Sequence, residues 1–233
     1  MNLAIIGAGE SSRLKDEGIK MPKHLVKLNG EFLIERIIRI ARLNRVKNVY
    51  CIINMHEPEL KEYLLSCDLG VSLHLKIQDT QSSMHSLFAL APHLMNEPFC
   101  LTTADCVFNP NEFTEFINYT NRHDDIDGVL AVTRYIDDEK PLCVAMNEDE
   151  VILKFSDSKE GYNWATGGIY YFSPIIFNEI KYAIENDISR LRNFLRLLVK
   201  RGYVLKGFSF SKIIDVDHVS DIIKAEAFLK EIE

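Results

Sequence analysis

Short β-branched apolar runs alternate along this chain with stretches of helical period, and that alternation admits few architectures. The runs 2–7, 48–54 ("NVYCIIN"), 71–77, 98–103 ("PFCLTT"), 128–134, 167–172 ("GGIYYF") and 202–210 read as strands. The segments 31–44, 57–66, 83–94, 110–122, 174–186, 188–200 and 218–231 read as helices. Strands joined through helices lie parallel and bury both faces, so the expected fold is α/β: a three-layer αβα sandwich with a mostly parallel central sheet, Rossmann-like in outline. In 31–44 the apolar residues Phe32, Ile37, Ile40 and Ala41 form one stripe, with Arg36, Arg39 and Arg42 expected outside it. Asn109 before Pro110 is a good helix start. There is no repeat, low-complexity tract or Pro/Ser-rich linker, and 233 residues with 47% hydrophobic content can fill one core, so a single domain over 1–233 is expected. The longest irregular stretches, 11–30 and 135–166, border the candidate site segments.

Charge and cysteine usage exclude several classes. A formal net charge of -7 argues against wholesale neutralisation of nucleic-acid phosphates. Five scattered cysteines, Cys51, Cys67, Cys100, Cys106 and Cys143, are odd in number and never spaced C-x-x-C, which suggests neither a disulfide framework nor a zinc site. No apolar run approaches the roughly 18 residues of a membrane span. Met1 leads straight into a strand with no export segment ahead of it. A cytoplasmic protein without nucleic acid or a membrane span is expected.

The opening loop, "IIGAGESSRLKDEGIKMPKHL", begins as a dinucleotide-binding turn would. Gly7, Gly9 and Ser12 form a degenerate G-x-G-x-x-G, but that fingerprint needs a helix opening at the loop and an acid about 20 positions on. Gly18 and Pro22 interrupt the helix, and the second strand ends only near Asn54, before Glu57. A nucleoside triphosphate makes different demands. A turn of exposed backbone N–H groups with one Arg and one Lys suits several neighbouring negative charges.

The order "GAGESSRL…MPKHLVKLNGEFLIERII" resembles the signature of the nucleotidyltransferases that make activated sugars and alcohols, commonly written L-A-A-G-x-G-x-R-L…P-K-x-L…G-x-P-L-I. The likeness is close from Leu3 to about Ile38, and later landmarks recur in family order. It implies the nucleotide-diphospho-sugar transferase fold and a loop that wraps a triphosphate. Gly7, Ala8, Gly9, Glu10, Ser11 and Ser12 would then bind the nucleotide, and Arg13 and Lys23 would meet its phosphates as the catalytic cations. Ser11 stands where the family usually has its second glycine, and Gly7 replaces the first of paired alanines, so the loop path here differs in detail.

The same resemblance supplies the remaining roles. Asp105, in "CLTTADCVF", follows a buried-looking strand and matches the family's magnesium-holding aspartate; oxygen ligands suit that hard cation. "KIIDVDHVSDIIKAEAFL" matches the family's closing D-I-D-T-P-E-D-L pattern, so Asp217, with Asp215 close behind, would complete the metal site. In an extended stretch both point to one side. Asp221 reads better as a first-turn acid. Ser82 and Ser83 in "TQSSMHSLFAL" lie in a segment more like that of the short choline-phosphate cytidylyltransferases of bacteria than like the sugar enzymes, and would touch base or ribose or cap the next helix. "NWATGGIYYFSP" resembles the acceptor side: Trp164, Gly167 and Gly168 would border the acceptor, with Lys154 or Lys159 for its phosphate. His24, His85 and His218 show no ligand spacing and read as structural or surface groups.

What the resemblance implies is a magnesium-dependent nucleotidyltransferase joining a nucleoside triphosphate to a phosphorylated sugar or small alcohol, with release of pyrophosphate. The chain ends at Glu233, just after its last expected helix, so the left-handed β-helical extension of longer, acetyltransferase-bearing relatives is not expected. Three other readings stay open. A molybdenum-cofactor nucleotidyltransferase shares the fold, though its loop usually reaches the lysine sooner than the ten positions between Arg13 and Lys23. A nucleotide-binding regulatory domain would lose the metal carboxylates. An NAD-dependent oxidoreductase would assign Lys23 no role. The base, the acceptor and whether two copies pair are not legible.

Overall fold

The computed structural model describes residues 1–8, 12–123 and 126–232. Their elements, in chain order, are β1 (Asn2–Gly7), α1 (Ser12–Asp16), β2 (Lys27–Leu28), β3 (Glu31–Phe32), α2 (Leu33–Leu43), β4 (Asn48–Ile53), α3 (Pro58–Ser66), β5 (Ser72–Ile77) and α4 (Ser83–Leu94). Then follow β6 (Phe99–Thr103), β7 (Cys106–Phe108), α5 (Pro110–Thr120), β8 (Gly128–Thr133), β9 (Cys143–Met146), β10 (Ile152–Ser156) and β11 (Trp164–Phe172). The chain closes with α6 (Ile180–Glu185), α7 (Leu191–Lys200), β12 (Leu205–Phe210), β13 (Ile213–Asp215) and α8 (Val219–Ile232). Short 3-10 turns occupy Lys23–Leu25 and Pro174–Glu179.

The main sheet runs β10-β9-β11-β6-β1-β4-β5, with β8 paired to both β11 and β12. Strands β6, β1, β4 and β5 are mutually parallel, as is the β8–β12 pair, while β11 runs antiparallel between β6 and β8. Alternation along β1 builds the layers. Leu3 and Ile5 face α2, α3 and α5 in one apolar cluster; Ala4 and Ile6 face α4 and α7 in another. The expected three-layer α/β sandwich is thus the observed one.

Two local departures follow from tertiary contacts. Residues 31 and 32 pair with 27 and 28 as a small hairpin, so α2 begins at Leu33, and Arg36 is buried, its guanidinium near Glu31 and the Phe108 carbonyl. The stretch 135–166 carries β9 and β10, whose short edge pairing leaves little signal in the sequence. Asn109 caps α5 as expected, its side chain accepting from Asn111 N–H.

Candidate functional site

The site is built where β1 and β6 end, on the carboxyl edge of the parallel strands, where open α/β sheets leave room for ligands. After Gly7 the chain passes Ala8 and, beyond residues that lie outside the described ones (Gly9, Glu10 and Ser11), enters α1, five residues long. Ser12 opens α1, and its side chain also lies outside the described residues. Gly18, at φ +94°, ends the turn after α1 in a conformation that a side chain disfavours, which confirms that no long first helix follows the loop. Glu17 ties this segment to the start of α8 by accepting from Val219 N–H and meeting His218.

The 3-10 turn after Pro22 delivers Lys23 into the interior at 8% exposure. Its ammonium lies 2.5 Å from Asp105 Oδ2 and 2.5 Å from Asp217 Oδ1, and Arg13 meets the other Asp217 oxygen. Four residues from three distant segments therefore form one charged chain. Burial alone would depress the lysine's affinity for its proton, but the Asp105 and Asp217 charges outweigh it and hold the ammonium above its ordinary range. Burial likewise pushes the Asp105 carboxyl up, and the Lys23 charge wins, leaving it below the usual range.

The two aspartates near the C-terminus part company. β13 pairs antiparallel with β7 so that Asp215 lies opposite Cys106, and Val216 N–H donates to the Asp105 carbonyl. The extended backbone expected through 215–217 is bent instead: Asp217 N–H donates back to the Asp215 carbonyl. Asp217 therefore turns to the two cations, while Asp215 turns to Asp105. Of the two aspartates expected to complete the metal site, Asp215 lies in the metal-capable group, in which ligand atoms of Asp105, Cys106 and Asp215 are all within 4.8 Å of one another, and Asp217 meets Lys23 and Arg13. Asp105 Oδ1 and Asp215 Oδ1 are both buried with no hydrogen-bond partner. Burial, then repulsion from Asp105, pushes the Asp215 carboxyl up to about 8. Asp221 acts as the first-turn acid of α8, accepting from the Asp217 and His218 N–H groups.

These donors fit a hard divalent cation: two carboxylates carry unpaired inward oxygens, and a cation between them would neutralise the repulsion that raises Asp215. Cys106 is a poorer donor for such an ion. Its thiol is pushed up by burial and by both aspartates, and its sulfur sits against Thr102 and Thr103. The sign of the resulting pH dependence is definite. A carboxyl raised from 3.8 to about 8 on folding holds a proton that the unfolded chain releases, so without a cation stability declines as pH rises through that interval. Asp215→Asn is accordingly expected to raise Tm at about pH 9 and to change it little near about pH 4; a gain independent of pH in thermal melts would contradict this.

Three cavities surround the charged chain. A cleft of about 810 Å³ is lined by Gly7, Ala8, Lys23, Asn54, Ser82, Ser83 and Asp105 among others, and so gathers the described part of the expected nucleotide side. A second, of about 330 Å³, holds Arg13, Tyr135, Asp138, Thr166, Gly167, Asp215 and Asp217. A third, of about 180 Å³, lies between Asp105 and Asp215 on one side and Leu191 and Arg192 on the other, with Gly168 in its wall.

Gly167 and Gly168 sit at the bulge where β11 shifts register against β8. A Cβ on Gly167 would strike Ile213, and one on Gly168, at φ +73°, would reach Thr103 Oγ1 at 2.8 Å. Their smallness admits β13 and the Asp215 carboxylate, a packing reason beside the expected acceptor one. The remaining acceptor candidates stand outside these cavities. Lys154 is exposed over the Tyr162 ring, Lys159 is exposed, and Trp164 stacks under Arg134.

Two further groups border the cavities. His24, read as structural or surface, is buried at 4% beside the cleft, with Nδ1 3.2 Å from Glu57 at the start of α3 and its ring against Gly7. Arg192, on the first turn of α7, supplies the cation of the smallest cavity, its guanidinium held by Asp157 and the Lys140 carbonyl. No local pattern marks Arg192; only the packing of α7 against α4 brings it there.

A Rossmann-like sheet whose strand ends present an Arg, a Lys and paired carboxylates defines the class of nucleotide-handling α/β proteins. The chain belongs to the family of the MobA-like NTP transferase domain, whose profile matches residues 3–164. Curated relatives include the bifunctional protein GlmU of Methanococcus vannielii, 22% identical over 100% of this chain and 56% of the relative, and that of Methanococcus maripaludis, 20% identical over 100% and 55%. The chain thus spans about half the length of the curated relatives it matches. Among solved structures, the inositol-1-phosphate CTP transferase from T. maritima superposes with a TM-score of 0.83 at 21% identity, covering 99% of this chain and 96% of that one. A putative glucose-1-phosphate thymidylyltransferase from Bacillus anthracis superposes with a TM-score of 0.85 at 19% identity, covering 100% and 96%. These likenesses establish the fold. No helix among the described residues is long and apolar enough to cross a membrane.

Proposed function

We propose that the chain is a divalent-cation-dependent nucleotidyltransferase that joins a nucleoside triphosphate to a phosphorylated sugar or small alcohol. The observation that carries this reading is Lys23 bridging Asp105 and Asp217 at the strand ends, with Arg13 on the same aspartate, beside the unpartnered oxygens of Asp105 and Asp215. The relatives support it: one superposing protein is a CTP transferase for inositol 1-phosphate, another a putative thymidylyltransferase for glucose 1-phosphate.

The chemistry asks for no protein nucleophile. An oxygen of the acceptor phosphate attacks the α-phosphorus, the bond from that phosphorus to the β-phosphate breaks, and pyrophosphate leaves with the electron pair. Both reactants are anions, so the barrier lies in aligning them and screening their repulsion. Lys23 would face the triphosphate from the larger cleft and Arg13 from the adjoining cavity of about 330 Å³, and both would stabilise charge gathering on the leaving pyrophosphate. Asp105 and Asp215, with Asp217 beside them, would hold magnesium. An ion held there would supply positive charge against the phosphates. Gly7 and Ala8, with Gly9, Glu10, Ser11 and Ser12 beyond them, would cradle the phosphates. Gly167 and Gly168 would border the acceptor. With Lys154, Lys159 and Trp164 outside the cavities, Arg192, its guanidinium held by Asp157 and the Lys140 carbonyl, is the cation that borders the smallest cavity and would meet the acceptor phosphate.

A single compact domain in the reducing cytoplasm suits this activity and the five free cysteines. The deciding experiment is a pyrophosphate-release screen of four triphosphates against sugar and alcohol phosphates with magnesium. Release that depends on one acceptor class supports the reading, and no release from any pair refutes it. Arg192→Ala is expected to raise the acceptor KM about tenfold or more, the loss of a charge-assisted bond worth about 1.5–3 kcal/mol, with the triphosphate KM little changed.

A further inference from the structure

Ser82 and Ser83 stand at the mouth of the larger cleft, where their hydroxyls were expected either to meet the nucleotide or to cap α4. Neither makes a capping bond to α4. Arg190 N–H donates to Ser82 Oγ and Leu191 N–H donates to Ser83 Oγ, each at 2.9 Å. These donors open α7, where no intrahelical carbonyl is available to them, so the two serines cap a helix other than their own.

The capped backbone is held in an unusual shape. Arg190 has φ 67° and ψ 141°, a combination that residues with a Cβ adopt only where their surroundings impose it. Below the clasp, α4 and α7 pack through Phe88 and Phe194, edge to face at 5.0 Å between ring centroids. Two residues beyond Arg190, the Arg192 side chain reaches the smallest cavity, which Ser83 also borders together with Asp105 and Asp215. Ser83 thus touches both the cleft assigned to the triphosphate and the cavity assigned to the acceptor.

We propose that Ser82 and Ser83 are positioning residues for the acceptor: their hydroxyls clasp the first turn of α7 and hold Arg192 at the acceptor cavity. This rests on the two-substrate reading above. Their oxygens are engaged by the α7 backbone, and Ser82 also meets His85, so their contribution to substrate passes through α7. When the clasp is lost, the strained link at Arg190 relaxes and the first turn of α7, which carries Arg192, shifts at the cavity.

The test combines kinetics with amide exchange on Ser82→Ala, Ser83→Ala, the double variant and Ser83→Thr. In the double variant the acceptor KM is expected to rise about tenfold, with the triphosphate KM within about twofold of wild type, because two bonds to α7 are lost and none to the nucleotide. Amide exchange at Arg190 and Leu191, measured without substrates, is expected to speed up in the double variant. Ser83→Thr, which keeps the hydroxyl, is expected to behave as wild type in both measurements. An effect confined to the triphosphate KM, or unchanged exchange at α7, would overturn the clasp while leaving the transferase reading intact. A wild type that releases no pyrophosphate with any acceptor would overturn the transferase reading itself, and the acceptor role with it.

Discussion

Asp105→Asn should leave a folded protein with at least about a hundredfold less turnover, since even losing an outer partner of a metal site costs 10- to 100-fold. Three observations set the size. Asp105 offers an inward oxygen without a partner, it gives Lys23 one of its two carboxylates, and it faces Asp215 in the metal-capable group. An amide keeps the shape and removes the charge, so affinity for a divalent cation falls while packing is kept. Stability should change little. Lys23 keeps Asp217, and Asp215 loses the charge that repels it. Pyrophosphate release, magnesium titration and thermal melts on one preparation would check all three statements. Full activity in Asp105→Asn would remove the metal site from the mechanism. The companion variants Asp215→Asn and Asp217→Asn separate the two later aspartates. In the proposed reading Asp215 holds the cation and Asp217 the Arg13–Lys23 pair, so Asp215→Asn should weaken magnesium binding more, and the reverse order would favour Asp217 as the ligand.

Lys23→Ala carries the second large effect and acts twice. In the free protein it strips the counter-charge from Asp105 and Asp217, and removing one partner of a buried ion pair typically costs about 3–5 kcal/mol. At 10% side-chain exposure Lys23 is close to that limit, whereas Asp217, at 34%, can turn to water and reduce the loss. Magnesium should recover part of the stability by neutralising the stranded carboxylates. Toward the triphosphate, a charge-assisted bond of about 1.5–3 kcal/mol is lost, and more in the transition state as charge builds on the leaving group. Titration calorimetry with each triphosphate plus magnesium, and separately with NAD, distinguishes the two readings of the opening loop. Unchanged triphosphate affinity in the variant, or tight NAD binding by both proteins, would count against the transferase.

What the sequence by itself determined about this protein is its layer order and the identity of its charged site. Alternating apolar periods specify strands and helices locally, because burying one face of a helix or both faces of a strand demands those spacings. The Arg13 to Lys23 loop and the two acidic segments were legible because each is a short string of unusual residues at a strand end. Tertiary structure alone decided how the charges are shared. Asp215 and Asp217 look equivalent in an extended chain, but pairing of β13 with β7 places Asp215 opposite Cys106, and the turn at buried Val216 sends Asp217 to the cations. Lys154 and Lys159 precede the segment expected to border the acceptor and lie away from the described cavities, whereas Arg192 borders one of them from a helix with no local mark. The same holds for the serines at 82 and 83, expected to meet a nucleotide or to cap the next helix, whose hydroxyls accept from backbone N–H groups 108 positions away. Local patterns report what a segment can bury, and they carry no information on which distant donor will satisfy a given oxygen; that choice is made only when the layers close and most buried polar groups take a partner.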